Sequence, residues 1–314
     1  MNKVERVEAV LRNETPDRTP AGFWFHYDHN WEPQRMADEH IRTFRETDAD
    51  ILKVMQDYTV KLEESVKNPA DWKKLRFPGT SSPVCQKLLD VLKRILDSLG
   101  GEALVFQTMY GPFKNAVISY SDRLVMAHAR EDPQALADGV SVIRDALAEW
   151  AAAFVEAGAS GLYYTAQFSE PGRFSHEEWE KLVKPADMAV LKAAEQQGGR
   201  NILHICGEPD YQFKTNLAWF TDYPAAIVNW SVKDTGIAPE QGRELFKKPI
   251  LGGMNNKGNI LNGTDEAVKA EAESVIRQAG RNGFMLGADC TIQGQGITHQ
   301  KIRVAVDAAH SFRD

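Results

Sequence analysis

Short apolar runs alternate along this chain with longer segments whose apolar residues recur every three or four positions. Val4, Val7, Val10 and Leu11 form a helical stripe that ends near Asn13, and Pro16 and Pro20 mark a connection. Residues 21–27 (AGFWFHY) are short and aromatic and predict a buried strand; residues 50–55 predict a second, after a helix through Thr43. Residues 60–83 are polar, carry Pro69, Pro78 and Pro83, and predict an excursion from the main fold. A helix follows over 84–99. From there strands are expected at 103–106, 161–165, 202–205, 225–230, 249–252 and 284–287. Helices are expected at 132–157, 176–197 with an interruption at Pro185, 239–246, 264–279 and 298–309. Asp132 and Thr264 suit N-caps, Pro133 suits a first turn, and Gly158 and Gly280 suit stops.

Strands alternating with helices imply parallel pairing. Eight such units over this length predict an α/β fold, a (β/α)8 TIM barrel with an N-terminal helical extension and an excursion after strand 2. Residues 1–314 are read as one barrel domain. Neither GxGxxG nor GxxxxGK[ST] occurs, so the open-sheet nucleotide binders lack their usual support.

Composition narrows the function classes. With 43% apolar and 26% charged residues and a net charge of −7, the chain is an ordinary globular protein without a basic stripe, which argues against nucleic acid as partner. No run approaches the ~18 apolar residues of a membrane span, and the opening MNKVERVEAVLRNETPDRTP lacks the apolar centre of a signal peptide. The three cysteines, 85, 206 and 290, are too few and odd in number for a disulfide framework. A cytoplasmic protein with reduced thiols is expected, and those thiols are free to bind metal.

In such a barrel the chemistry sits where strands end. The predicted strand ends carry His26, Asp28, Asp57, Tyr110, Tyr164, Gln167, His204, Cys206, Asn229, Trp230, Asn255, Asp289 and Cys290. His204 and Cys206 are an i, i+2 pair and share one face of their strand. Cys290, at another strand end, opens onto the same mouth. A His-Cys-Cys set suits zinc and leaves a fourth tetrahedral position open. The other reading is a core histidine with two packed thiols, since free cysteine is among the most buried residue types. His26 suits an acid, a base, a substrate ligand or a core histidine. Tyr164, Gln167, Asn229 and Asn255 are candidate substrate contacts, Glu208 a possible fourth ligand, and Asp289 a possible partner orienting the metal-binding histidine. Lys53, Arg173 or Lys257 could bind an anion locally. Trp24, Tyr27, Trp31, Tyr110, Tyr163, Tyr164, Phe168 and Trp230 are candidates for an aromatic rim, with core packing as the alternative. His29, His128, His176, His299 and His310 are expected at the surface, and Cys85 as a packed thiol.

The stretches RVEAVLRNETPDRTPAGFWF, YGPFKNAV, FSHEEWEKLVKPADMAVLKAAEQQGGRNILHICG and PILGGMNNKGNILNGTDEAVKAEAESVIRQAGRNGFMLGADC carry a family likeness. Through them the chain resembles the uroporphyrinogen decarboxylase superfamily, and within it the zinc-dependent methyltransferases that move methyl groups between corrinoid proteins and small acceptors. The resemblance implies that His204, Cys206 and Cys290 hold Zn2+. It also implies a corrinoid co-substrate, since no D-x-H-x-x-G corrinoid motif occurs here: cobalamin would come on a separate corrinoid protein or free. The other substrate would be a small thiol or another methyl donor or acceptor. A metal-free decarboxylase is the enzymatic alternative. It would use a pair of arginines after the first strand, whereas HYDHNWEPQR has none before Arg35; Asp57 lies near that enzyme's essential aspartate and, with His26, is taken as catalytic. The non-enzymatic alternative is a barrel that retains zinc for structure or binds a corrinoid partner.

Overall fold

In the computed structural model, which describes residues 1–60, 62, 64–294 and 296–313, eight parallel strands surround the core in the order β1-β8-β7-β6-β5-β4-β3-β2. They are β1 (Ala21–Gly22), β2 (Ile51–Val54), β3 (Leu104–Tyr110), β4 (Gly161–Ala166), β5 (Ile202–Ile205), β6 (Ile227–Trp230), β7 (Ile250–Met254) and β8 (Phe284–Ala288). The helices are α1 (Lys3–Leu11), α2 (Pro33–Thr47), α3 (Pro83–Leu99), α4 (Pro112–Ser119), α5 (Asp122–Glu131), α6 (Pro133–Glu156), α7 (His176–Leu182), α8 (Lys184–Gln196), α9 (Val232–Thr235), α10 (Pro239–Phe246), α11 (Asn259–Asn262), α12 (Asp265–Ala279) and α13 (His299–Ser311). This is the (β/α)8 barrel.

The cores follow from strand alternation. Ile51, Phe106, Tyr163, Ile202, Ile227, Leu251 and Met285 point inward, and Val7 and Val10 of α1 close the same interior cluster. The N-terminal extension is thus part of the barrel core. A larger apolar layer lies between the strands and the helices outside them. At the seam between β1 and β2, Asp50 donates its N–H to the Ala21 carbonyl at 2.8 Å, and its carboxylate accepts from the Ala21 N–H at 2.9 Å. Arg6 and His310 bind the same fully buried carboxylate, at 2.7 and 2.8 Å.

Several expectations are corrected. The first strand ends at Gly22, with one further bridge between Phe25 and Ile292, and beyond it the Tyr27 N–H turns to the Asp57 carboxylate. The segment 112–131 folds as α4 and α5, started by Pro112 and capped by Ser121. His128 is buried and His310 half-buried rather than at the surface. His128 accepts a bond from Trp72 Nε1, which ties the 60–83 excursion to α5; residues 61 and 63 of that excursion lie outside the described residues.

Candidate metal centre

The β4–β5–β6 register sets Thr165, His204 and Asn229 side by side on the inner wall. One layer lower, Tyr163, Ile202 and Ile227 form the apolar floor. Cys206 continues the inward face of β5 by donating its N–H to the Ala166 carbonyl at 2.9 Å. Gly207 follows because a side chain there has no room: a Cβ would lie 2.5 Å from the Phe213 carbonyl oxygen. From beyond β8, Cys290 arrives at the same place. Its Sγ lies 4.0 Å from Cys206 Sγ and 3.4 Å from His204 Nε2, and the three ligand atoms lie within 4.8 Å of one another.

Asn229 decides which nitrogen of His204 is available. Its Nδ2 donates to the Leu251 and Ala288 carbonyls at 2.8 and 3.1 Å, which fixes the amide orientation. Its Oδ1 accepts from Tyr163 Oη at 2.8 Å and from His204 Nδ1 at 2.5 Å. Nδ1 therefore carries the proton, and the Nε2 lone pair faces the two sulfurs. The Cys206 thiol hydrogen-bonds the Cys290 sulfur and, with His204 nearby, holds Cys290 well below the ordinary thiol range. The same shared proton, with burial, pushes Cys206 up. Two sulfurs and one neutral imidazole nitrogen fit a structural or catalytic zinc ion.

The centre lines a cavity of about 770 Å³ at the mouth of the barrel. Of the residues singled out in the sequence, His26, Asp57, Gln167, His204, Cys206 and Cys290 line it together. His26 Nδ1 bonds Asp57 Oδ1 at 2.5 Å, and Asp57 Oδ2 accepts the Tyr27 N–H at 3.0 Å. Gln167 Nε2 donates to Glu208 Oε1 at 2.6 Å, and Lys114 pairs with the same carboxylate. Glu208, held by these partners, is not in the group of mutually close ligand atoms among the described residues.

Three expected substrate contacts lie elsewhere. Tyr164 alternates with the inward Tyr163 and Thr165, so it points outward, where its hydroxyl bonds Asp187 of α8 at 2.6 Å. Asn229 lies beneath the cavity wall with its amide fully engaged below His204. Asn255 turns its side chain onto the Lys257 N–H at 3.0 Å, and its neighbour Asn256 lines the cavity instead. Asp289 does not orient His204; it accepts the Lys233 N–H at 2.9 Å, and burial pushes its pKa up to about 7. Of the aromatic rim, Tyr27 and Tyr110 line the cavity with Phe213, while Trp230 packs outward on Phe246.

Lys53 was named in the sequence only as a local cation, and the structure gives it a larger place. It stands on the inner face of β2 and lines the cavity, 8% exposed, with Nζ 3.8 Å from the Tyr163 ring centre and 4.8 Å from that of Trp24. Burial pushes its pKa down to about 7. The signal available in the sequence was a lysine inside an apolar strand, DILKVM.

No helix among the described residues is long and apolar enough to cross a membrane. No curated protein matches the chain. Among solved structures it is similar to a methyltransferase from Methanosarcina mazei, at 18% identity and a TM-score of 0.79, covering 98% of each chain. It is also similar to a B12-independent methionine synthase from Shewanella sp. W3-18-1, at 12% identity and TM-score 0.58, covering 94% of each. A beta-mannanase from the blue mussel Mytilus edulis, at 12% identity and TM-score 0.56, covers 96% of this chain and 93% of its own. At these identities the likenesses speak to the barrel alone, since one barrel hosts many chemistries. The profile of uroporphyrinogen decarboxylase (URO-D) matches residues 51–312, which include every ligand of the candidate centre. The chain belongs to the uroporphyrinogen decarboxylase family.

Proposed function

We propose that the chain is a zinc-dependent methyltransferase, moving a methyl group between a corrinoid and a small thiol or other methyl carrier. The corrinoid comes on a separate protein or free. The observation that carries this reading is the convergence of His204, Cys206 and Cys290 within 4.8 Å on the wall of an open cavity. Zinc held by these three residues would supply an open position where a thiol would lose its proton and stay nucleophilic. The likeness to the Methanosarcina methyltransferase fits this reading.

The chain's own groups have separable tasks. Asn229 keeps the His204 proton on Nδ1. His26, with Nδ1 held by Asp57, presents Nε2 to take the thiol's proton, and it also borders an adjoining cleft of about 660 Å³ through which that proton can reach water. Toward a thiol acceptor, the deprotonated sulfur would take the methyl group from a methylcorrinoid, whose carbon–cobalt bond would break with its electron pair left on the corrinoid. A cavity of about 770 Å³ beside the three ligands suits a small substrate. Among the described residues no arginine lines this cavity, which disfavours the decarboxylase alternative with its carboxylate-gripping arginines.

Elemental analysis of wild type and Cys290→Ala tests the centre. About one zinc per chain in the wild type and its loss in the variant are expected. The activity is read from the fading of the methylcobalamin spectrum when a thiol is added. Wild-type protein purified without zinc would sink the reading, and four protein ligands around the ion would favour a structural metal.

A further inference from the structure

We propose that Lys53 and Thr108 form a subsite for a carboxylate group on the methyl carrier, beside the His204–Cys206–Cys290 centre. The inference rests on the methyltransferase reading and narrows its substrate class. Lysine is almost never so buried without an anionic partner. Lys53 is 8% exposed, yet among the described residues its ammonium has only two aromatic faces, Tyr163 and Trp24, as close partners. Asp57 acts on it by charge from a distance, but its carboxylate oxygens hydrogen-bond His26 and the Tyr27 N–H rather than Lys53. A divalent ion would balance the two thiolates of the centre, which then no longer serve Lys53 as counter-charges, and Asp57 would remain its acidic neighbour without contact. What the ammonium lacks is a contacting acceptor, which a ligand carboxylate would supply.

A second group points the same way. Thr108 is 2% exposed, lines the cavity and has no hydrogen-bond partner for Oγ1. It stands on β3 two residues beyond Phe106, the register partner of Lys53, and so on the same inward face one layer nearer the mouth. One ammonium and one hydroxyl match the two oxygens of a carboxylate. A phosphate asks for more donors, commonly a helix N-terminus or a nest of free backbone N–H groups; here the wall is strand backbone engaged in its ladder. Because the subsite and the thiols open into one cavity, the carboxylate and the reacting sulfur belong to one small molecule.

The test uses protein loaded with cobalt(II), whose sulfur-to-metal absorption band reports a thiol at the metal. It is titrated with 3-mercaptopropionate and with its neutral amide. Wild type is expected to bind the carboxylate about tenfold tighter or more. Lys53→Met, an apolar chain of similar length, brings the two within about twofold and leaves the amide's affinity unchanged, while Thr108→Val loses about threefold for the carboxylate alone. Equal affinities in wild type overturn the proposal whether or not the variants fold, and so does a preference that survives Lys53→Met. If neither thiol changes the cobalt spectrum, the thiol-carrier reading fails separately. The subsite is then read from NMR line broadening of propionate against propionamide: a propionate preference lost in Lys53→Met supports it, and equal broadening overturns it.

Discussion

Replacing Asn229 by alanine tests the claim that one buried amide sets the geometry of the metal centre. The amide makes four bonds, two accepted from His204 and Tyr163 and two donated to the Leu251 and Ala288 carbonyls. Alanine strands the His204 Nδ1–H and the Tyr163 hydroxyl in a fully buried layer. A buried donor left without a partner costs roughly 1–3 kcal/mol, so the variant should lose about 3–5 kcal/mol of stability once the small cavity is included. That is a large share of the ~5–15 kcal/mol that holds a typical domain together. The loss would appear as a lower urea midpoint at unchanged slope. The metal effect is separable. With Nδ1 released, His204 can rotate or shift its proton to Nε2, and loss of such an orienting partner typically weakens metal binding ~10–100-fold. Competition with a chromophoric chelator measures this in native buffer, well below the unfolding transition. Tyr163→Phe is the control: it removes one donor, leaves the His204–Asn229 bond in place, and should change zinc affinity less than about threefold. An Asn229→Ala protein that is destabilised yet binds zinc as wild type does would refute the orienting role.

Two further outcomes follow from buried groups. Asp187 lies between the hydroxyls of Tyr164 and Tyr223, and burial pushes its pKa up to about 7. The folded state therefore holds a proton that the unfolded chain releases near pH ~3.9, so stability should fall as pH rises from about 4 to about 7. Glu170 and Asp289, also raised to about 7 by burial, add the same trend; the difference between wild type and Asp187→Asn in urea midpoints at pH 5 and pH 8 isolates Asp187, and an unchanged difference would sink the assignment. Gly207→Ala puts a Cβ 2.5 Å from the Phe213 carbonyl oxygen. Displacing that loop should cost about 1–3 kcal/mol and weaken zinc binding through Cys206, whereas normal zinc affinity would mean that the loop yields without moving the thiol.

The alternation of apolar runs and amphipathic segments was enough to specify eight strands and a parallel barrel, because periodicity and capping are local properties. The His204–Cys206 pair was equally readable, since i, i+2 residues on a strand share a face whatever surrounds them. Tyr164 shows the limit of that rule. Both faces of a parallel strand are buried in a barrel, so the run LYYT carries no polar alternation to say which tyrosine points inward, and the neighbours' register decided it. The chain just past the short first strand is likewise held from a distance, by a carboxylate 30 residues along that captures the Tyr27 N–H. The bond from Asn229 to His204 spans 25 residues, and the approach of Cys290 to Cys206 spans 84. Composition could nominate Lys53 as a cation but could not reveal that Asp57 is already engaged by His26 and Tyr27. What the sequence determined by itself was which residues belong to strand ends and which share a face. Which of them meet, which orient others, and which charge is left without a partner were decided by closing the barrel, because those contacts depend on distances between segments that no local pattern encodes.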